Sequence, residues 1–115
     1  MNKKQRWYIG NQPDIYWDII IADSFLKRFR GLLGTRSLKD GQGILLNPCN
    51  SVHMVGMLYP IDIIYLDVNN RIIKLVENLQ PFWGISCCWA AKSVLEVPAG
   101  TIKKYCWHMG DYLCK

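Results

Sequence analysis

The chain has no run approaching the roughly 18 apolar residues that a bilayer span requires. Its longest apolar stretches, such as Ile19–Ala22, are of strand length. The N-terminal region carries a basic tip, Lys3, Lys4 and Arg6, without an apolar segment ahead of a small-residue cleavage site. Export by a signal peptide is therefore not expected. There is no glycine-rich phosphate loop, no G-x-S-x-G and no H-E-x-x-H, which removes the common nucleotide-binding and hydrolase signatures. Acidic residues are few: nine Asp and Glu face fourteen Lys and Arg, for a net charge of +5. The positive groups are dispersed, at Lys27, Arg28, Arg30 and Arg36 and again at Lys103 and Lys104. A nucleic-acid binder concentrates its charge on one face, so a basic soluble surface is the expectation and nucleic acid is not expected as a partner.

With 115 residues, half of them hydrophobic, the chain is read as one globular domain with its own core. Residues 1–14 are expected to be an extension. The five cysteines, Cys49, Cys87, Cys88, Cys106 and Cys114, are odd in number. Together with the missing export signal they favour reduced thiols and a cytoplasmic setting.

Ile15–Ala22 is rich in Ile, Tyr and Trp and follows a Pro13-Asp14 turn, so it reads as the first strand. Asp23-Ser24 then opens a helix, with Ser24 as N-cap. Phe25, Leu26, Phe29, Leu32 and Leu33 share one arc of about 120°, and Gly34 is a natural C-cap. Ile44–Leu46, Ser51–Leu58, Ile61–Asp67, Arg71–Glu77, Ser93–Val97 and Tyr112–Cys114 read as extended segments. Ile61–Asp67 is apolar on both faces, which marks a central strand. Gln80–Trp89 reads as an irregular aromatic loop, and Thr101–Trp107 as one or two helical turns capped by Thr101. The expected fold is mostly β: a small antiparallel β-barrel or sandwich of about six to seven strands, with one amphipathic helix near the N-terminus.

Four segments carry a resemblance. Ala22-Asp23-Ser24 through Arg28-Phe29-Arg30-Gly31-Leu32-Leu33-Gly34 is similar to A-D-T…R-x-R-G-L-M-G. Gly41-Gln42-Gly43-Ile44-Leu45-Leu46 is similar to G-x-G-M-L-F. Cys49-Asn50-Ser51-Val52-His53, running on through Met57 to Pro60-Ile61-Asp62 and Asp67, resembles C-x-S-I-H-T-F-x-M…P-I-D-V-V-F-L-D. Ala91–Gly100 is similar to A-x-x-V-L-E-L-P-A-G. In that order and spacing they resemble the bacterial and archaeal family called domain of unknown function 192, over roughly residues 15–114. The resemblance implies a compact β-rich barrel or sandwich and supplies no function. Met54 stands where that pattern has Thr, and Cys88, Cys106, His108 and Cys114 match nothing in it.

Several residues are candidates for function. Asp62 shares a strand face with Ile64 and Leu66, so its carboxylate should be buried. It is read either as the partner of Arg30 or Arg28 in a structural ion pair, or as a general base. His53 lies on an extended segment with Ser51, Val55 and Met57. Cys49 belongs to the same motif, and Cys87 occupies the position of a second family cysteine. Convergence of these groups would fit a thiolate activated by His53, a soft-metal site, or packing with a reversible Cys49–Cys87 pair. A zinc site from Cys49, His53, Cys106 and His108 has the wrong spacing for a common knuckle, and no metal or cofactor is expected. Phe82, Trp83 and Trp89, with Tyr59, are read either as a stacking platform or as rings covering a barrel end. The leading expectation is a β-rich domain that binds a small molecule or a protein through His53, Met57, Asp62, Phe82, Trp83 and Cys87, without a membrane. The competing one is a thiol enzyme using Cys49, His53 and Asp62.

Overall fold

The computed structural model describes residues 3–22, 38–55 and 57–115. The order of elements is β1 (Lys3–Ile9), β2 (Trp17–Ala22), β3 (Gln42–Leu46), β4 (Ser51–His53), β5 (Ile61–Leu66), β6 (Ile72–Leu79), β7 (Ile85–Cys87), β8 (Ser93–Pro98), the helix α1 (Thr101–Tyr105) and β9 (Leu113–Cys114). Seven strands form one sheet in the order β6-β5-β8-β3-β2-β1-β9, and β4 pairs with β7 in a separate two-stranded ribbon. The sheet curls into a half-barrel whose two edges meet at one end. There Arg71 bridges Tyr112, and the Ile72 and Leu113 amides donate to the Asp111 and Asn70 carbonyls at 2.7 and 2.8 Å.

The mostly β class agrees with the sequence reading, and two details of the described residues differ. The expected N-terminal helix over Asp23–Gly34, with Arg28 and Arg30, lies outside the described residues. Among the described residues the single helix is α1. The sheet is not antiparallel throughout, because β2 and β3 run parallel. Parallel neighbours need a long crossover, and β2 ends at Ala22 while β3 begins at Gln42. Finally, Lys3–Ile9 is a strand, paired antiparallel with β2 from Lys3↔Ile21 to Trp7↔Trp17. Its charges concealed the strand pattern, yet Lys and Arg suit a strand bordered only at Tyr8 and Ile9 by β9.

Strand alternation divides the core. Ile64 and Leu66 of β5 and Leu95 and Val97 of β8 point into the curl, joining Ile9, Trp17, Ile19, Ile102, Trp107 and Leu113. Ile61, Ile63, Tyr65 and Val94 point to the opposite face, where they pack with Val52, Met54 and Met57. All six residues of β5 are buried because both of its faces are covered, which is why its sequence is apolar throughout.

Asp40, Lys104 and Tyr105 clamp α1 to the turn before β3. The Lys104 ammonium lies 2.7 Å from the Asp40 carboxylate, and the Tyr105 hydroxyl donates to the same group at 3.0 Å. The hydrogen bond from Lys104 is the main cause that lowers the Asp40 carboxyl below its ordinary value of 3.8. That bond also raises Lys104 above 10.5. A lowered carboxyl contributes stability that is present above its unfolded value and lost as pH falls through the folded value. The Lys104 contribution runs the other way, present below its unfolded value and lost as pH rises through the folded one. Carboxyl NMR titration should therefore place Asp40 below an ordinary aspartate, and Lys104→Met should narrow the difference, leaving the part due to the Tyr105 hydroxyl and the Gly41 amide. The effect on stability will be small, since both partners are more than half exposed.

Candidate functional site

Residues 47–60 and 80–92 form an excursion on one face of the sheet, with the β4–β7 ribbon at its centre. Ser51 pairs with Cys87, Val52 with Ser86 and His53 with Ile85. The Cys88 amide donates to the Asn50 carbonyl at 2.8 Å and the Met54 amide to the Gly84 carbonyl at 2.9 Å. By alternation, Ser51–Cys87 and His53–Ile85 are the non-hydrogen-bonded pairs, where cross-strand side chains come closest.

The inward side of the ribbon is firmly held. Val52, Met54 and Met57 are buried against Ile61, Ile63 and Tyr65. The Tyr65 hydroxyl donates to Ser86 Oγ at 2.9 Å, and the Lys74 ammonium donates to the Cys87 carbonyl at 2.8 Å. Burial raises the Tyr65 phenol above 10.0; the Ser86 bond opposes this, and the neighbouring thiols of Cys87, Cys49 and Cys88 add to it. The two turns at one end of the ribbon are tied together, with the Phe82 amide donating to the Met54 carbonyl at 2.8 Å.

The outward side has an unusual composition. From residue 83 to residue 89 every second residue is exposed, and those residues are Trp83, Ile85, Cys87 and Trp89. Trp83 is 75% exposed, Ile85 76% and Trp89 82%, while Val55 beyond β4 is 72% exposed. Phe82 and Leu58 are exposed in the same pair of turns. The residues between, Gly84, Ser86 and Cys88, face the protein. The usual alternation of apolar inside and polar outside is thus inverted on β7. The aromatic rings do not cover a barrel end, contrary to one reading of the sequence. Trp17 and Trp107 fill the interior, and Trp83 and Trp89 turn to solvent.

The structure separates the candidate residues. His53 and Cys87 share the exposed face of the ribbon. Cys49 is half-buried, and its thiol donates to the Ser51 carbonyl at 3.1 Å. Met57 is buried in the layer beneath the ribbon. Asp62 lies on the other side of the sheet, since its parity is that of Ile64 and Leu66. Its carboxylate accepts from three backbone amides: Asn78 at 2.8 Å, Gly100 at 3.1 Å and Ile102 at 3.0 Å. Asp62 therefore anchors the end of β6 and serves as the N-terminal cap of α1, in place of the expected cap by Thr101. Gly100 is the helix N-cap, at φ 94°, and makes no side-chain cap bond itself. A single hollow lined by His53, Cys49, Cys87 and Asp62 is not formed. The expected partner Arg30 lies outside the described residues.

One residue escaped the sequence reading. Glu96 of β8 is fully buried, on the sheet face that carries Ile63 and Val94. Its charge adds to burial in raising the phenol of Tyr59. A lone carboxylate in the run Val94-Leu95-Glu96-Val97 was the available signal. Asp62 and Glu96 sit on adjacent strands and opposite faces, so they cannot work as a carboxylate pair across one substrate. Among the described residues no group of three or more His, Cys, Asp or Glu is placed to hold a metal ion, and no helix is long and apolar enough to cross a membrane.

Together these features define a curled β-sheet module that carries an outward-facing aromatic ribbon. The chain belongs to the domain of unknown function 192 family, described as uncharacterized ACR, whose model matches residues 9–114. It is 34% identical over 95 residues to a UPF0127 protein of Thermococcus sibiricus, covering 79% of this chain and 61% of that protein. It is 32% identical over 98 residues to a UPF0127 protein of Thermococcus kodakarensis, covering 81% and 61% respectively. The chain thus spans about three-fifths of the length of these archaeal relatives. The fold is shared with a provisionally named transcription regulator of Sinorhizobium meliloti, with TM-score 0.83 and 22% identity over 97% of this chain and 93% of that one. It is also shared with a protein of unknown function from Novosphingobium aromaticivorans, with TM-score 0.80 and 18% identity over 96% and 84%.

Proposed function

We propose that the protein is a binding module and that the exposed face of the β4–β7 ribbon is its binding surface. The inverted alternation of β7 carries this reading. Three large apolar side chains face water from a short segment whose other side is fixed by Val52, Tyr65–Ser86 and Lys74. Rigid apolar surface rimmed by polar groups is characteristic of interaction sites, and preorganisation lowers the ordering cost of association. The surface is a strip on a ribbon and not a cleft around a nucleophile, so it suits a macromolecular surface better than catalysis by Cys49 and His53.

Site-specific photo-crosslinking tests this. A benzophenone side chain at position 83 is expected to form adducts in cells, with protein or with lipid. The same group at Val68, equally exposed at 74% on the β5–β6 hairpin, is expected to form none. Equal yields or no adducts at both positions would overturn the proposal.

A further inference from the structure

The charge around the ribbon points to the nature of the partner. We infer that the outward ribbon face docks on an anionic lipid surface, seating its side chains at headgroup level without crossing the bilayer. The inference rests on the ribbon being a binding surface and specifies what that surface binds. Residues 47–60 and 80–92 contain no Asp or Glu. Among the described residues, the ammonium of Lys74 sits at the edge of β7 on the Cys87 carbonyl, and Lys92, three residues after Trp89, is exposed. The carboxylates of the underlying strands, Asp62 and Glu96, are fully buried. The nearest exposed one on β6 is Glu77, which follows Lys74 in the same strand.

The exposed side chains are those that interfacial layers favour. Tryptophan concentrates at the boundary between headgroups and hydrocarbon, where an apolar ring and a polar N–H are both accommodated. Trp83 and Trp89 flank Ile85 and Cys87, and Val55, Leu58 and Phe82 extend the apolar surface at one end. Seating such residues removes apolar area from water, while lysines nearby gain attraction to anionic lipid. The net charge of +5 adds a long-range pull in the same direction. A protein groove could take the aromatic side chains equally well. An acid-free strip with the Lys74 ammonium at its edge is better matched to a negatively charged sheet of headgroups. The sequence reading excluded a membrane because no run is long enough to span one, and lying on a surface has no such length requirement.

The test is sedimentation of the full chain with vesicles of phosphatidylcholine, alone or mixed with phosphatidylserine. The protein is expected to sediment with the mixed vesicles and stay in solution with the neutral ones. Bound protein should release as salt is raised. Tryptophan emission should shift to shorter wavelength on binding and be quenched by brominated lipid. Trp83→Ala combined with Ile85→Ser is expected to weaken binding about ten-fold or more while leaving the thermal transition unchanged, since both residues are exposed. Absence of sedimentation with either vesicle overturns the inference, as does binding that the double variant leaves intact. If vesicles fail and crosslinking at position 83 still traps a protein, the membrane is wrong and the binding surface stands. If neither gives a signal, both fall.

Discussion

Replacing Asp62 with Ala should destabilise the fold by about 3 kcal/mol or more. The carboxylate is fully buried and satisfies three amides from two separate segments. Each buried donor left without an acceptor costs about 1–3 kcal/mol. Some relaxation, or entry of water beside α1, should keep the total toward the lower end of the sum. For a domain of this size the loss corresponds to a drop of about 15 °C in melting temperature. Circular dichroism at neutral pH would register it. Asp62→Asn should fall between, because its amide keeps one acceptor oxygen and sets two donors among three others. A melting temperature within two or three degrees of the parent would show that the turn at Gly100 and the bend at Asn78 hold without the carboxylate.

Gly84→Ala should cost about 2 kcal/mol and also displace the aromatic turn. A Cβ at this position would collide with the carbonyl of Gln80 and crowd Leu79 Cγ and Met54 Cγ, each at 3.0 Å. The first contact is backbone and cannot rotate away. The Gly84 amide donates to that same carbonyl at 3.1 Å, and its own carbonyl accepts from Met54 at 2.9 Å. Any shift therefore pulls on the turn that presents Phe82 and Trp83. Urea unfolding should show a lowered midpoint with an unchanged slope. Crosslinking from position 83 should fall with it. A variant as stable as the parent, with crosslinking retained, would show that the turn tolerates the displacement.

These two sites show how far the sequence could be read. The burial of Asp62 was legible, because period-two alternation groups it with Ile64 and Leu66. Its partners were not, since the amides of Gly100 and Ile102 come from a turn far along the chain. Local capping rules therefore pointed to Thr101. The central strands were legible because being covered on both sides demands apolar residues at every position, as in Ile61–Leu66. β1 was hidden by Lys3, Lys4, Gln5 and Arg6, which meet the needs of a poorly bordered strand and obscure the alternation that defines one. β7 was hidden for the opposite reason. It is three residues long, follows Gly84 and ends on the first of two vicinal cysteines, and turns its apolar side chains away from the protein. The family motif put Cys49 and His53 on one segment and Cys87 on another, and left open whether the three converge. Only the register Ser51↔Cys87 decides which of the three side chains share a face. Register depends on pairing across the fold and leaves no trace in composition.

The meeting of β1 with β9 has a consequence for how the chain acquires its shape. Tyr8 lies opposite Cys114, so this pairing connects the beginning of the described chain to its far end. Contacts between such distant positions form late, because a large loop must close before they contribute. During synthesis, β1 can zip onto β2 as soon as both have emerged, but its outer edge at Tyr8 and Ile9 stays bare until residues 112–114 leave the ribosome. The nascent domain must wait, with an open sheet margin available to any extended neighbour. The lysines and arginine on the rest of that margin, which β9 does not border, discourage wrong partners during this interval and continue to do so in the finished molecule.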